Sequence, residues 1–178
     1  MVYLSDVTDF ELLRQKYDNE KLCLAYVRFD NYEDVMKGMS ETTRANISGE
    51  VNEVLSKWAE EENGFISRSN KELCLIGFNQ AVLRDLMEQK FPVLDSVREI
   101  HVGNKITPTV SIGIACEGDN LEELSQNAVK ALDLALGRGG DQVVVAVDGG
   151  TQFFGGTTTV TAKSTRVRAR IVAHTIHE

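Results

Sequence analysis

The sequence predicts an α/β fold of the α+β kind, a mixed central sheet flanked by helices. Three observations predict it. Segments of helical period alternate with short β-branched or continuously apolar runs, the pattern of a layered α/β domain. Two strand-like runs in the middle of the chain are separated only by Ser69-Asn70-Lys71, which suits a tight hairpin. At about 100–200 residues per domain, the 178 residues make one domain with short ends.

The elements follow in order. Asp6 or Thr8 can cap a first helix that carries Phe10, Leu12, Leu13 and Tyr17, with Asp9 and Glu11 near its positive end. Leu22 to Phe29 reads as a buried strand, ended by Asp30-Asn31. A helix begins over Tyr32 to Met39. A longer one near residues 43–62 repeats Ile47, Val51, Val54, Leu55 and Trp58 at helical spacing, so one face, Trp58 included, is core. Asn63-Gly64 stops it. Phe65 to Arg68 and Glu72 to Phe78 form the hairpin. Residues 80–100 are helical, with Pro92 as a break. Thr109 to Ala115 is a β-branched strand, residues 121–136 an amphipathic helix, and Val143 to Val147 the final buried strand. Beyond Asp148-Gly149-Gly150 the chain turns Thr-rich and basic, without an obvious hydrophobic partner, and reads as a linker or the start of another module.

Composition narrows the function. Net charge is −8, yet residues 151–178 carry Lys163, Arg166, Arg168 and Arg170 against Glu178 alone. The acidic body repels phosphate backbones, so no nucleic acid is expected as partner. No apolar run approaches the roughly 18 residues that span a bilayer, and the start lacks a basic, then apolar, leader; neither membrane insertion nor a signal peptide is expected. Cys23, Cys74 and Cys116 all lie in apolar runs with no CxxC pair, so buried reduced thiols are expected. His174 and His177 are three apart without a third ligand, which makes a weak metal signal, and His101 reads as a loop or strand-edge residue.

Four stretches together carry a family resemblance over roughly residues 20–148. Val27-Arg28-Phe29-Asp30-Asn31-Tyr32 lies where GGDEF domains end a strand in D-x-D-x-F. Ser69-Asn70-Lys71-Glu72-Leu73 occupies the hairpin that names the family. Thr109 to Ala115 looks like its VSIGIA strand, and Ala128 to Val143 is similar to its last helix and turn. The chain therefore resembles a GGDEF domain, a palm-like relative of the nucleotidyl cyclases. The resemblance implies a cleft in which carboxylates hold two Mg²⁺ ions against a triphosphate. Here Arg28 replaces the first metal-binding Asp, and a guanidinium repels a cation. Ser69 and Asn70 replace the two hairpin glycines, and Lys71 an acid. Met36 stands for the guanine-reading Asn, Leu136 and Gly140 for two phosphate-binding cations. Glu60-Glu61-Glu62-Asn63 lies where an inhibitory R-x-x-D would be. Diguanylate cyclase activity is not expected.

The Ala131–Gln142 ending, Phe153-Phe154-Gly155-Gly156 and Arg166-Val-Arg-Ala-Arg170 resemble the GdpP/YybT family of membrane-bound cyclic di-AMP phosphodiesterases. That resemblance implies a PAS-exit segment and linker helix at 1–19, a degenerate GGDEF domain at 20–148, and a linker at 149–178 leading to a DHH/DHHA1 hydrolase that this chain lacks. In the parent, at the cytoplasmic face of a bacterial membrane, that hydrolase would convert cyclic di-AMP to pApA with Mn²⁺. The PAS and DHH/DHHA1 domains would be the partners. This domain would be regulatory; the alternatives are a weak Mg²⁺-dependent ATPase or a non-catalytic scaffold that forms a homodimer. In the residual cleft, Asp30 and Glu72 are the candidate catalytic and metal ligands, while Asn31, Asn70, Lys71 and Arg138 are candidate contacts to ATP or another purine nucleotide. Plainer roles stand beside these. Asp30 and Asn31 can cap a helix, Glu72 can pair with Arg28 or Lys71, and Lys71 and Arg138 can be solvated charges. Asp133 stands at an aromatic position of the family's last helix and can be exposed or pair with Arg138. The Gly137–Gly140 run lies at a helix C-terminus, whose dipole repels anions, so capping is the expected role.

Overall fold

The computed structural model describes residues 3–103 and 105–156, and for 3–6 the backbone helix alone. Its elements are α1 (Tyr3–Glu20), β1 (Leu22–Phe29), α2 (Tyr32–Met36), α3 (Glu41–Glu61), β2 (Phe65–Arg68), β3 (Leu73–Asn79), α4 (Gln80–Glu88), α5 (Val93–Arg98), β4 (Val110–Ala115), α6 (Leu121–Gly137), β5 (Gln142–Val147) and β6 (Gly150–Gly155). Six strands form one mixed sheet in the order β2-β3-β1-β4-β5-β6, with only β4 and β5 parallel.

Strand alternation sorts β1 onto two layers. Cys23, Ala25, Val27 and Phe29 face the main core with α3, α4 and α5. Leu24 and Tyr26 face α6, where Tyr26 Oη and Ser125 Oγ lie 2.8 Å apart. α6 sits directly on β4 because Gly113 has no side chain: a Cβ there would meet the backbone of Ala128 and Leu132. Pro92 separates α4 from α5, as its missing N–H and fixed φ require. Trp58 is buried with the core, as its helical spacing predicts.

Three expectations change. Asp6 and Thr8 do not start the first helix, which already begins at Tyr3; propensity marks a local cap but not whether a helix continues through it. The segment after Asp148 is not only a linker, since β6 pairs antiparallel with β5 from Val147↔Gly150 to Gln142↔Gly155. Its hydrophobic partner is remote in sequence: Phe154 meets Phe91 edge-on at 5.1 Å. Residues 157–178, with His174 and His177, lie outside the described residues.

The third correction concerns the thiols. Cys23 and Cys116 are joined in a disulfide. The antiparallel register of β1 and β4 ends on Leu24↔Ala115. The next facing pair is Cys23 and Cys116, with Cα atoms 4.2 Å apart across 93 residues of sequence. Reading each cysteine in its own run could not reveal that pairing. Cys74 is free and buried, and burial pushes its thiol up to about 11.

Candidate functional site: the hairpin tip

The tip of the β2–β3 hairpin carries Ser69 to Glu72. Asn70 shapes it: its Oδ1 accepts from the N–H of Glu72 (2.8 Å) and of Leu73 (2.9 Å). This Asx turn does the work of the missing glycines. Arg68 then fastens the hairpin to α3, donating to Asn52 Oδ1 (3.0 Å), Asn52 O (2.9 Å) and Ser56 Oγ (2.7 Å). The β1 end is tied to the tip by Phe29 N–H donating to Glu72 O (2.8 Å).

Two hollows flank the tip. On the α6 side, a groove of about 560 Å³ lies between Arg28, Asn70, Lys71 and Glu72 and an α6 wall of Val129, Leu132, Asp133 and Leu136. On the α3 side, a smaller hollow of about 200 Å³ is bounded by Tyr32, Glu41, Arg44, Ser48 and Lys71. Exposed Lys71 is common to both. The Glu72 carboxylate lies 3.8 Å from the Arg28 guanidinium, both partly exposed.

Asp30 faces away from this tip. Its Oδ2 accepts from Asp141 N–H (2.9 Å) and Thr109 Oγ1 (3.2 Å), tying β1 to the starts of β4 and β5. Its Oδ1 is buried with no hydrogen-bond partner among the described residues, and the same holds for the nearby Ser111 Oγ. Burial raises the Asp30 carboxyl above the usual carboxylate range, against the lowering effect of these bonds. Gly140, at φ +77°, lets the loop close on this carboxylate. A Cβ there would stand 2.9 Å from Asp30 Oδ2. Asn31 occupies the N-cap position of α2 but makes no side-chain cap bond. Its amide donates to Thr107 O (2.8 Å) and accepts from Thr109 N–H (3.3 Å) instead.

Arg138 lies outside both hollows, over the Phe153 ring at 4.2 Å and donating to Gln142 Oε1 (3.3 Å). Asp133 is exposed on the wall of the α6-side groove. Met36 is 1% exposed and belongs to the core. His101 lies in a loop, its ring nitrogen 2.9 Å from Glu99 O.

The family model described as "Cyclic-di-AMP phosphodiesterase GdpP-like, GGDEF domain" matches residues 27–153. The chain belongs to this family. It is 38% identical over its whole length to the cyclic-di-AMP phosphodiesterase GdpP of Bacillus subtilis, and 36% identical to the cyclic-di-AMP phosphodiesterase PdeA of Listeria monocytogenes. It spans only 27% of the length of either relative. Among solved structures, the GGDEF domain of DgcB from Caulobacter crescentus has a TM-score of 0.60 at 18% identity, covering 79% of this chain and 88% of that one. A diguanylate cyclase/phosphodiesterase from Caldicellulosiruptor saccharolyticus has a TM-score of 0.62 at 16% identity, covering 81% and 87%. Those likenesses establish the GGDEF fold of the GdpP-like domain.

The paired cations implied by that fold do not fit these residues. Arg28 stands on the strand where a ligand is needed and engages the Glu72 carboxylate. Asp30 spends its accepting oxygen on a backbone N–H and a hydroxyl. Among the described residues, no group of three or more His, Cys, Asp or Glu side chains is placed to hold a metal ion. The tip of this GdpP-like domain sets cations beside carboxylates, Glu72 and Asp133 in the groove and Glu41 in the smaller hollow. Lys71 and Arg28 line the groove, with Arg44 across the smaller hollow. Sequence reasoning missed Arg44, Ser48 and Arg68. The available signal was Arg68, a cation ending a strand opposite a helix with polar Asn52 and Ser56 one turn apart.

Proposed function

We propose that this domain is the regulatory, non-cyclising GGDEF domain of a membrane-bound cyclic di-AMP phosphodiesterase. It sits in the parent between a PAS sensor and a DHH/DHHA1 hydrolase at the cytoplasmic face of the membrane, and relays sensor state to that hydrolase. The parent, not this segment, performs the hydrolysis of cyclic di-AMP with Mn²⁺. The observation that carries this reading is the Arg28–Glu72 pair at the hairpin tip. A guanidinium on the metal-ligand position disfavours Mg²⁺ by direct repulsion, so the GTP condensation of active cyclases has no cation to run on. The same cations suit a phosphate, since Lys71 and Arg28 border a groove large enough for a nucleotide. The proposed ligand is a purine nucleotide such as ATP, with its phosphates on Lys71 and Arg28.

Two experiments test the proposal. In the full-length parent, in-frame deletion of residues 20–148 should change the phosphodiesterase rate or abolish its response to the sensor; an unaltered rate and response refutes the regulatory role. Equilibrium dialysis of the chain with ATP, without and with Mg²⁺, should give uptake that does not need the metal and that Lys71→Ala weakens. Strictly Mg²⁺-dependent uptake with turnover abolished by Glu72→Ala would replace this reading with an ATPase. Cyclic di-GMP made from GTP would overturn it outright.

A further inference from the structure

A third hollow, remote from the hairpin tip, lies between the C-terminal end of α3 and the α4–α5 corner, with a volume of about 470 Å³. Its floor is apolar, from Val54, Trp58 and Val93. Its rim is acidic, from Glu61, Glu62 and Glu99, with Lys57 as the one cation along it. Lys57 is engaged with Glu61 at 3.8 Å, while Glu62 and Glu99 have no ion-pair partner among the described residues. The C-terminal ends of α3 and α4 both point here and add negative potential. Trp58 is 7% exposed, and its indole Nε1–H is buried with no acceptor among the described residues. An apolar floor under unpaired carboxylates suits a ligand with apolar stems and cationic heads, which is the chemistry of a basic peptide segment.

The chain supplies such a segment. Lys163, Arg166, Arg168 and Arg170 are its concentrated basic run, against an acidic body. The described fold ends beside the groove. Gly156 N–H donates to Asp141 O (3.0 Å), and Gly155 packs on Leu94 of α5, the helix whose opposite face walls the groove. Lys163 follows Gly156 by seven residues, a reach of up to about 24 Å. That is ample to round one helix about 10 Å across. We propose that this groove is the docking site for the chain's own basic segment, Lys163 to Arg170, with Glu62 and Glu99 pairing its cations over the apolar floor of Val54, Trp58 and Val93. Docking would couple the GGDEF body to whatever follows the segment, independently of nucleotide at the hairpin.

The test uses the full chain, compared with the double variant Glu62→Gln/Glu99→Gln. Both positions are on the surface rim, so circular dichroism should be unchanged. Trypsin should cut after Lys163, Arg166, Arg168 and Arg170 about fivefold faster in the variant, the population shift expected from losing two exposed ion pairs. Cutting after exposed Lys16 in α1 should keep its rate. The emission of Trp58, the single tryptophan, should shift in the variant and in wild type at about 1 M salt, where the Debye length falls to about 3 Å. Zero-length carbodiimide coupling should join Lys163 to Glu62 or Glu99 within one molecule. Equal trypsin rates, an unmoved emission, or coupling found only between molecules would each overturn the proposal.

Discussion

Replacing Asp30 separates its two possible roles, a structural tie and a ligand. Asp30→Ala leaves the Asp141 N–H and Thr109 Oγ1 without their acceptor in a buried corner. Each orphaned group costs about 1–3 kcal/mol, partly offset by removing a carboxylate that burial already disfavours, so a net loss of about 3 kcal/mol is expected. Asp30→Asn keeps one acceptor oxygen for both donors. Its amide can point at Ser111 Oγ, which has no hydrogen-bond partner among the described residues of the wild type. Asp30→Asn should therefore fold within about 1 kcal/mol of wild type, or more stably. The pH dependence has a definite sign. A carboxyl raised in the folded state contributes stability fully below its unfolded value near 3.8 and loses it as pH rises through the folded value. Asp30→Asn lacks that loss, so its advantage over wild type should grow on going from pH 4 to neutral. Urea unfolding across that range, followed by circular dichroism, measures it. If Asp30→Asn were as damaging as Asp30→Ala, or its advantage shrank with rising pH, the charge itself would be needed and the tie refuted.

Four further outcomes are expected. Arg98→Ala removes the guanidinium whose Nε lies 2.9 Å from Asp141 Oδ1, stranding a carboxylate that is 1% exposed; urea unfolding should register a loss of about 3 kcal/mol. Gly113→Ala drives a methyl into the α6 backbone at Ala128 and Leu132, and should cost about 3 kcal/mol by the same measurement, with nucleotide uptake falling only as the fold is lost. Opening the Cys23–Cys116 link, with reductant or as Cys23→Ser, releases a loop of 93 residues and should lower stability by up to about 4.6 kcal/mol. Cys74 should stay unalkylated at pH 8 while the chain is folded, since its thiol is buried and raised to about 11.

The tip chemistry was partly readable in advance. Arg28 beside Glu72 ties β1 to the hairpin tip across α2, α3 and β2, so the opposite charges were readable as possible partners but their meeting is the work of the β1–β3 pairing. The direction of Asp30 is not local. Its partners, Thr109 and Asp141, stand 79 and 111 residues away. An Asp-Asn pair before a helix reads as a cap until the β4 and β5 starts are brought beside it. Arg138 is a similar case. At the end of α6 it reads as a phosphate ligand or a free charge, and the Phe153 ring that receives it belongs to a strand the linker-like composition disguised.

By itself the sequence determined the succession of helices and strands, the hairpin, the Pro92 break and the cation at position 28, because these depend on side-chain periodicity and on the identity of single residues. The fold alone decided the sixth strand, the Cys23–Cys116 link, the burial of Met36 and the inward turn of Asp30. Each of these depends on which distant segments become neighbours. That is set by the packing of the whole sheet, where a strand's partner and register are chosen by the apolar surface they bury together rather than by the residues next to it in the chain.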